Sequence, residues 1–494
     1  MSKAEARSAK GFEMRKNTCR WKRVAALAAA GLLLQPVLLA EVAASALPGP
    51  TKQKIRGYMT ARIDASTVAI MDDQIHAGAA RIVSRDSSGE RPISGGDLAT
   101  GMMMEAEGVW TSHHQFSAEK ITVDAGLLEK QIHETAYLQE EPRDAGKIGK
   151  GEPAELKADG EWLLLDASTK RAWTAPEPTA VDTSPGSTPQ ISPAKLDTTI
   201  PAYLAGYRVA YRGLRRTDGR IGAEKVELSS PAPPDAYKMP HGLEIVQAKD
   251  PQTGIDILEF RHGKKVQGRM KLFPDRAVRE YLSDLGDALL PAGAKGTSKA
   301  LEFRFFLVED PSINAAALPD GTVLVNTGLL GAVENEAQLA FVLSHEISHV
   351  LQVHYWREVH ETRPKRVGLL IAGIAGSYFI GDVGMFLAEL GMVSVINGHQ
   401  RELENQADRL GLQNIIEHGY DPRVAPGFMK MVIEHYGSRS TDKIWSNHDS
   451  SLLRGSFLTV QLQEQYSERH FDGTRVDTPA FQSMRETMGP VKIE

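Results

Sequence analysis

Leu339–Gln352 reads LAFVLSHEISHVLQ, and the architecture of the C-terminal half follows from it. His345, Glu346 and His349 form an H-E-x-x-H pattern between two apolar runs, Leu339 to Leu343 before it and Ile347, Val350 and Leu351 after it. In a helix of roughly 100° per residue, His345 and His349 fall about 40° apart, one turn apart on one face. Two imidazoles at that spacing reach a single tetrahedral Zn²⁺. Glu346 lies on the flank of that face, placed to take a proton from a water held by the metal. The rival reading is an ordinary amphipathic helix, which predicts polar neighbours. Here the neighbours are apolar, and unpaired polar groups among them would be costly; a buried ion resolves that cost.

Such a site needs a third protein ligand. The extended pattern H-E-x-x-H-x-x-G-x-x-H fails, because Gln352 stands in place of Gly and Tyr355 in place of His. His354 lies five residues past His349 and is expected on another face. Gln400–Gly411, QRELENQADRLG, is the better source. Glu404 and Asp408 are four apart and share a helical face. Glu404 is expected to ligate the metal, and Asp408 to accept the outer N–H of a ligand histidine.

From Leu301 to Arg454 the chain resembles the zinc peptidases that include the CAAX prenyl endopeptidases, the heat-shock membrane protease and the periplasmic β-barrel assembly-enhancing protease. The resemblance runs through Asn314–Gly321 (NAAALPDG), Asn326–Leu330 (NTGLL), Glu334–Glu336, the H-E-x-x-H helix, Arg401, Glu404, Ala407, Asp408 and Gly419–Pro422 (GYDP). It implies a mainly α, α+β zincin-type metallopeptidase domain with one Zn²⁺ per chain on His345, His349 and Glu404, and Glu346 as catalytic base. The family also carries a T-H-P-x-x-x-x-R motif. Asn447–Arg454 (NHDSSLLR) matches its histidine and arginine with His448 and Arg454, while Asn447 and Asp449 replace Thr and Pro. In the family this histidine approaches the metal, as a plug or as an aid to the transition state, which implies His448 and Arg454 as further catalytic residues. The implied role is endopeptidase action in envelope protein quality control, with misfolded or unassembled envelope proteins as substrates.

The 494 residues are 41% hydrophobic and 24% charged, with a formal net charge of −6 and one cysteine. That length supports two or three domains with cores of their own, and the mild acidity argues against nucleic acid as a partner. Residues 1–46 read as a signal peptide: Lys16, Arg20, Lys22 and Arg23 precede an apolar run from Val24 to Leu39, and Ala44-Ser45-Ala46 makes a small-x-small cleavage site. Export without a second cysteine fits a periplasmic location.

Residues 51–230 read as two repeated small all-β modules, OB-like barrels or sandwiches, at 51–130 and 151–230. Asp64-Ala65-Ser66-Thr67 recurs as Asp166-Ala167-Ser168-Thr169, and Gly101, Gly108, Ala118, Glu119 and Lys120 align without a gap with Gly206, Gly213, Ala223, Glu224 and Lys225. The second copy carries a Pro/Ser/Thr-rich loop at 174–193. A linker at 229–242 leads into the metallopeptidase domain, 243–494. There Leu243–Gln247, Ile255–Arg261, Leu301–Val308 and Thr322–Asn326 are expected strands, the last of them edging the cleft where a substrate pairs with its backbone. Ala277–Leu290 is an expected amphipathic helix, and a polar helix is expected at Leu458–Arg469. Two apolar runs within 367–396 are each too short to read as spans and read as two helices over the active site, either in the core or making a membrane-surface contact. A different class of function fits the same chain: a chaperone-like or binding protein whose β modules hold clients around a structural or degenerate zinc site.

Overall fold

A computed structural model describes residues 52–86, 89–124, 131–137, 143, 145–148, 150–158, 161–173, 208–216, 220–229, 234–291, 294, 301–361, 401–436 and 451–493. The expected signal peptide, the loop at 174–193, the apolar runs of 367–396 and His448 lie outside the described residues.

Two sheets fill the N-terminal half. The first contains β1 (Gln53–Tyr58), β2 (Ala61–Arg62), β3 (Thr67–Ile70), β4 (Asp73–His76), β5 (Arg81–Asp86), β6 (Gly89–Pro92), β7 (Met103–Ser112) and β8 (Gln115–Asp124). Its order is β1-β7-β8-β4-β3-β2, with β5 also on β8. The second contains β9 (Gln131–Tyr137), β10 (Ala154–Ala158), β11 (Glu161–Leu165), β12 (Lys170–Trp173), β13 (Arg208–Arg215) and β14 (Ile221–Ser229), in the order β10-β11-β14-β13-β9 with β12 also on β14. Along the first part of β7 and the whole of β11, alternation places one face inside. Met104 and Ala106 of β7 point into the first core, and Leu163 and Leu165 of β11 into the second.

Each sheet turns on one antiparallel hairpin with a register shift at a glycine. In β7–β8 the shift falls between Glu107 and Gly108, with Gly108 opposite Ala118; in β13–β14 it falls between Arg212 and Gly213, with Gly213 opposite Ala223. A Cβ at Gly108 would stand 2.0 Å from the Ser117 carbonyl oxygen, and one at Gly213 2.3 Å from that of Gly222. Only glycine allows the backbones to approach this closely at the bulge.

The C-terminal half opens with the antiparallel sheet β15 (Leu243–Lys249), β16 (Asp256–His262) and β17 (Lys265–Lys271). A second small sheet has the order β18-β20-β19, from β18 (Arg304–Val308), β19 (Ala315–Ala317) and β20 (Thr322–Asn326). Thr322–Asn326 is therefore the middle strand, parallel to β18 and antiparallel to β19, and not the edge. The edge beside the H-E-x-x-H helix is Ala315–Ala317, three alanines without a strand signature of their own.

Eight helices complete the described residues of this half: α1 (Arg276–Ala288), α2 (Thr327–Ala332), α3 (Glu336–Leu351), α4 (His354–Glu361), α5 (Arg401–Glu417), α6 (Val424–Tyr436), α7 (Ser451–Gln465) and α8 (Pro479–Met488). The α3 helix carries the H-E-x-x-H motif and is buried from Glu336 to Val350. Its start is fixed by the Asn335 side chain, which accepts from the Gln338 backbone N–H. It packs against α1, α5, α6 and β19, and most of its apolar side chains lie in one core with theirs. The α7 helix starts at Ser451, earlier than the expected Leu458, and its first residues are buried and mainly apolar.

Both β sheets contact the helices. Ser456 Oγ of α7 accepts from the Tyr58 backbone N–H at 2.8 Å, and Asn405 Nδ2 of α5 donates to the Tyr58 hydroxyl at 3.1 Å. In the second sheet, Glu161 Oε1 accepts from Gln465 Nε2 of α7 at 2.7 Å and lies 3.7 Å from Arg409 Nε of α5. No described helix is long and apolar enough to cross a membrane.

Candidate metal centre

Three helices meet at the buried H-E-x-x-H motif. The α3 helix supplies His345 and His349, α5 supplies Glu404 and Asp408, and α7 supplies Arg454. On α5, Glu404, Ala407, Asp408 and Gly411 recur at helical spacing and form one face against α3. A Cβ at Gly411 would lie 3.1 Å from the His345 backbone nitrogen, so this glycine sets how closely the helices approach. Glu404, Asp408 and His345 are fully buried, and His349 and Arg454 nearly so.

His345 Nε2 and His349 Nε2 face each other at 2.9 Å. Each is 3.6 Å from an oxygen of Glu404. One ligand atom from each of the three residues falls within 4.8 Å of those from the other two. Zinc bonds of about 2.0–2.2 Å in tetrahedral geometry put neighbouring donors roughly 3.3 Å apart, a spacing the two observed distances straddle. The donor set of two imidazoles and one carboxylate matches zinc chemistry.

The field at the site also favours a cation. Burial and then the Arg454 charge act to lower the His345 pKa, but hydrogen bonds to Asp408 and Glu404 together with the Asp408 charge outweigh them and raise it. Asp408 Oδ1 is 2.9 Å from His345 Nδ1. Arg454 Nη2 lies 3.2 Å from the same Nδ1 and 3.3 Å from Nε2, so His345 is enclosed by a carboxylate and a guanidinium together.

His354 does not point away. The α3 helix stops at Leu351, Val353 takes a left-handed φ of 48°, and α4 begins at His354. This break swings His354 back, so that its Nδ1 lies 2.9 Å from His349 Nδ1. Its Nε2 lies 3.0 Å from Gln406 Oε1, which also accepts from Arg357 Nη1 at 2.8 Å. Sequence reasoning missed this group because it carried the phase of α3 past Gln352, and no glycine marked the break.

The model of peptidase family M48 matches residues 278–462, the stretch that supplies every one of these side chains. That segment is similar to peptidase family M48. The β-barrel assembly-enhancing protease of Yersinia pestis is 30% identical over 178 residues, 35% of this chain and 36% of that protein. That of Escherichia coli K12 is 29% identical over 185 residues, 36% of this chain and 37% of that protein. The mitochondrial metalloendopeptidase OMA1 of Schizosaccharomyces pombe is 27% identical over 228 residues, 42% of this chain and 66% of that protein. The chain thus spans little more than a third of the length of the bacterial relatives. The matched segment is similar to zinc metallopeptidases, and among the described residues His345, His349 and Glu404 are the group that could hold one metal ion.

Glu346 is buried on α3 beside His345. Arg454 meets Asp408 through Nε at 2.9 Å and Nη2 at 2.6 Å, with Nη1 3.6 Å from Glu404 Oε2.

Proposed function

We propose that the protein is an exported zinc-dependent endopeptidase that hydrolyses peptide bonds of misfolded or unassembled envelope proteins. The observation that carries this reading is the meeting of His345, His349 and Glu404, from two helices of the matched segment, within 4.8 Å of one another. Zinc held there would acidify a water toward neutral pH and polarise a peptide carbonyl. Glu346 takes the proton of the attacking water and returns it to the leaving amine. Asp408 orients His345, and Arg454 holds Asp408 while its buried charge would steady an oxyanion formed at the metal. The relatives named for β-barrel assembly support the envelope assignment, and the N-terminal pattern of residues 1–46 supports export.

The N-terminal half is read as two copies of one small β module that present clients to the protease. The pairings support it. In chain order β1, β3, β4, β5, β7 and β8 correspond to β9, β10, β11, β12, β13 and β14, with the same sense at each junction. Asp64 Oδ1 caps the Ser66 N–H at 2.7 Å and Asp166 Oδ1 caps that of Ser168 at 2.8 Å. On this correspondence the second copy starts at β9, before residue 151.

The test compares wild type with Glu346→Gln, measuring bound zinc and cleavage of an unfolded outer-membrane protein with and without chelator. The expected result is one zinc in both proteins and chelator-sensitive cleavage in the wild type alone. Cleavage by Glu346→Gln would remove the base from its role. Zinc binding without any cleavage by the wild type would favour the chaperone-like reading.

A further inference from the structure

The two histidines of the metal site are held from behind in different ways. The outer nitrogen of His345 faces a carboxylate, Asp408, at 2.9 Å. The outer nitrogen of His349 faces another imidazole, His354, at 2.9 Å. Three observations mark the second arrangement as built. His354 is fully buried, and Gln406 and Arg357 nearly so. The hydrogen bonds have one consistent direction. If His349 Nε2 gives its lone pair to a metal, its Nδ1–H donates to His354 Nδ1, and the His354 proton sits on Nε2 and donates to Gln406 Oε1. Arg357 Nη1 donates to the same oxygen and fixes which way the amide points. Finally, Val353 holds a left-handed φ of 48°, a conformation that a β-branched residue adopts only when its surroundings enforce it. That strained residue is the break that brings His354 back onto His349.

We infer that His354 is a positioning residue for the metal site: with Gln406 and Arg357 behind it, it fixes the tautomer and ring orientation of His349. It touches neither metal nor substrate. The inference rests on the zinc reading of His345, His349 and Glu404 and deepens it. A partner behind a ligand histidine typically changes metal affinity by about 10–100-fold when removed.

The experiment measures the zinc dissociation constant of the full chain by competition with a chromophoric chelator, for wild type, His354→Phe, His354→Gln and Gln406→Leu. Thermal unfolding of each protein is followed alongside. His354→Phe fills the space without an acceptor and should weaken zinc binding by about 10-fold or more. His354→Gln keeps an acceptor and should recover most of that loss. Gln406→Leu leaves His354 in place but frees its tautomer, and should weaken binding by a smaller factor; it also carries the test if His354→Phe does not fold. Wild-type affinity in His354→Phe, or in Gln406→Leu where His354→Phe does not fold, overturns the inference. So does an equal loss in His354→Phe and His354→Gln, which would make His354 a packing residue only. A wild type that binds no zinc overturns the underlying metal reading, and the positioning role with it.

Discussion

Arg454 grips Asp408 with two parallel hydrogen bonds, Nε to Oδ2 at 2.9 Å and Nη2 to Oδ1 at 2.6 Å. The pair is wholly enclosed: Arg454 is 1% exposed and Asp408 0%. Burial pushes the Asp408 carboxyl up, but the Arg454 charge and its hydrogen bonds, with that of His345, hold it below the ordinary carboxylate value. A carboxylate kept charged and fixed in orientation fixes in turn the His345 ring that it faces. Arg454 is thus structural for the site whatever part it takes in chemistry.

Arg454→Met should therefore be strongly destabilising. It keeps a long apolar stem but leaves Asp408 charged without its principal counter-ion, and removing one partner of a buried pair costs about 3–5 kcal/mol. Urea unfolding of the full chain measures it. A loss below about 1 kcal/mol would place the pair among those that contribute little.

A second prediction concerns the grip of the β sheets on the metal helices. Glu161 of the second sheet is buried against Arg409 of α5 and bonded to Gln465 of α7. Arg409 follows Asp408 directly in the chain. Glu161→Ala should cost about 2 kcal/mol or more, since it leaves a buried guanidinium without its carboxylate. It should also weaken zinc binding, because it loosens the helix that carries Glu404. Unchanged zinc affinity in a destabilised variant would show that the sheet braces the fold without reaching the site.

The candidate metal cluster, with Asp408 beside it, was legible because each pair lies within one unbroken helix. His345 and His349 on α3, and Glu404 and Asp408 on α5, keep the 3.6-residue period over which spacing converts to a shared face. Legibility stopped where that period stopped. At Val353 the helix breaks without a glycine, and His354 returns to a face that extrapolation denied it. The cleft-edge strand was misplaced for a related reason. Thr322–Asn326 has the β-branched signature of a strand, but the three alanines that cover its outer side have none. The contacts of Tyr58 and Glu161 with α5 and α7 join residues hundreds of positions apart, and no local pattern encodes such pairings.

The glycines at the two hairpin bulges make a third prediction, with an internal control. Gly213→Val places a Cβ 2.3 Å from the Gly222 oxygen, so the strands must separate, at a cost of about 1–3 kcal/mol or more. Gly108→Val should behave alike, with the Ser117 oxygen at 2.0 Å. At Gly222 the nearest atoms are 3.8 Å from a built Cβ. Gly222→Ala should therefore be neutral or stabilise by up to about 1 kcal/mol, through the unfolded chain. Unfolding midpoints of the three variants decide it, and equal effects at Gly213 and Gly222 would refute the steric account.

The last prediction is a pH dependence outside the metal site. Asp421, in the Gly419–Pro422 turn before α6, accepts from Arg423 Nε at 2.8 and 3.0 Å and from Nη2 at 2.6 Å. It also accepts from the Arg423 backbone N–H at 2.9 Å. Burial raises its pKa, but the Arg423 hydrogen bonds and charge outweigh burial and hold the carboxyl below its ordinary value of 3.8. A group whose folded pKa is depressed stabilises the fold at pH above its unfolded value, and that stability is lost as pH falls through the folded value. Wild type should therefore exceed Asp421→Asn in stability near neutrality, and the gap should close in acid, below about pH 4. Urea midpoints of both proteins from about pH 7 down to about pH 3 follow that closure. A gap that stays constant across the series would mean that the carboxylate acts through shape and not through charge.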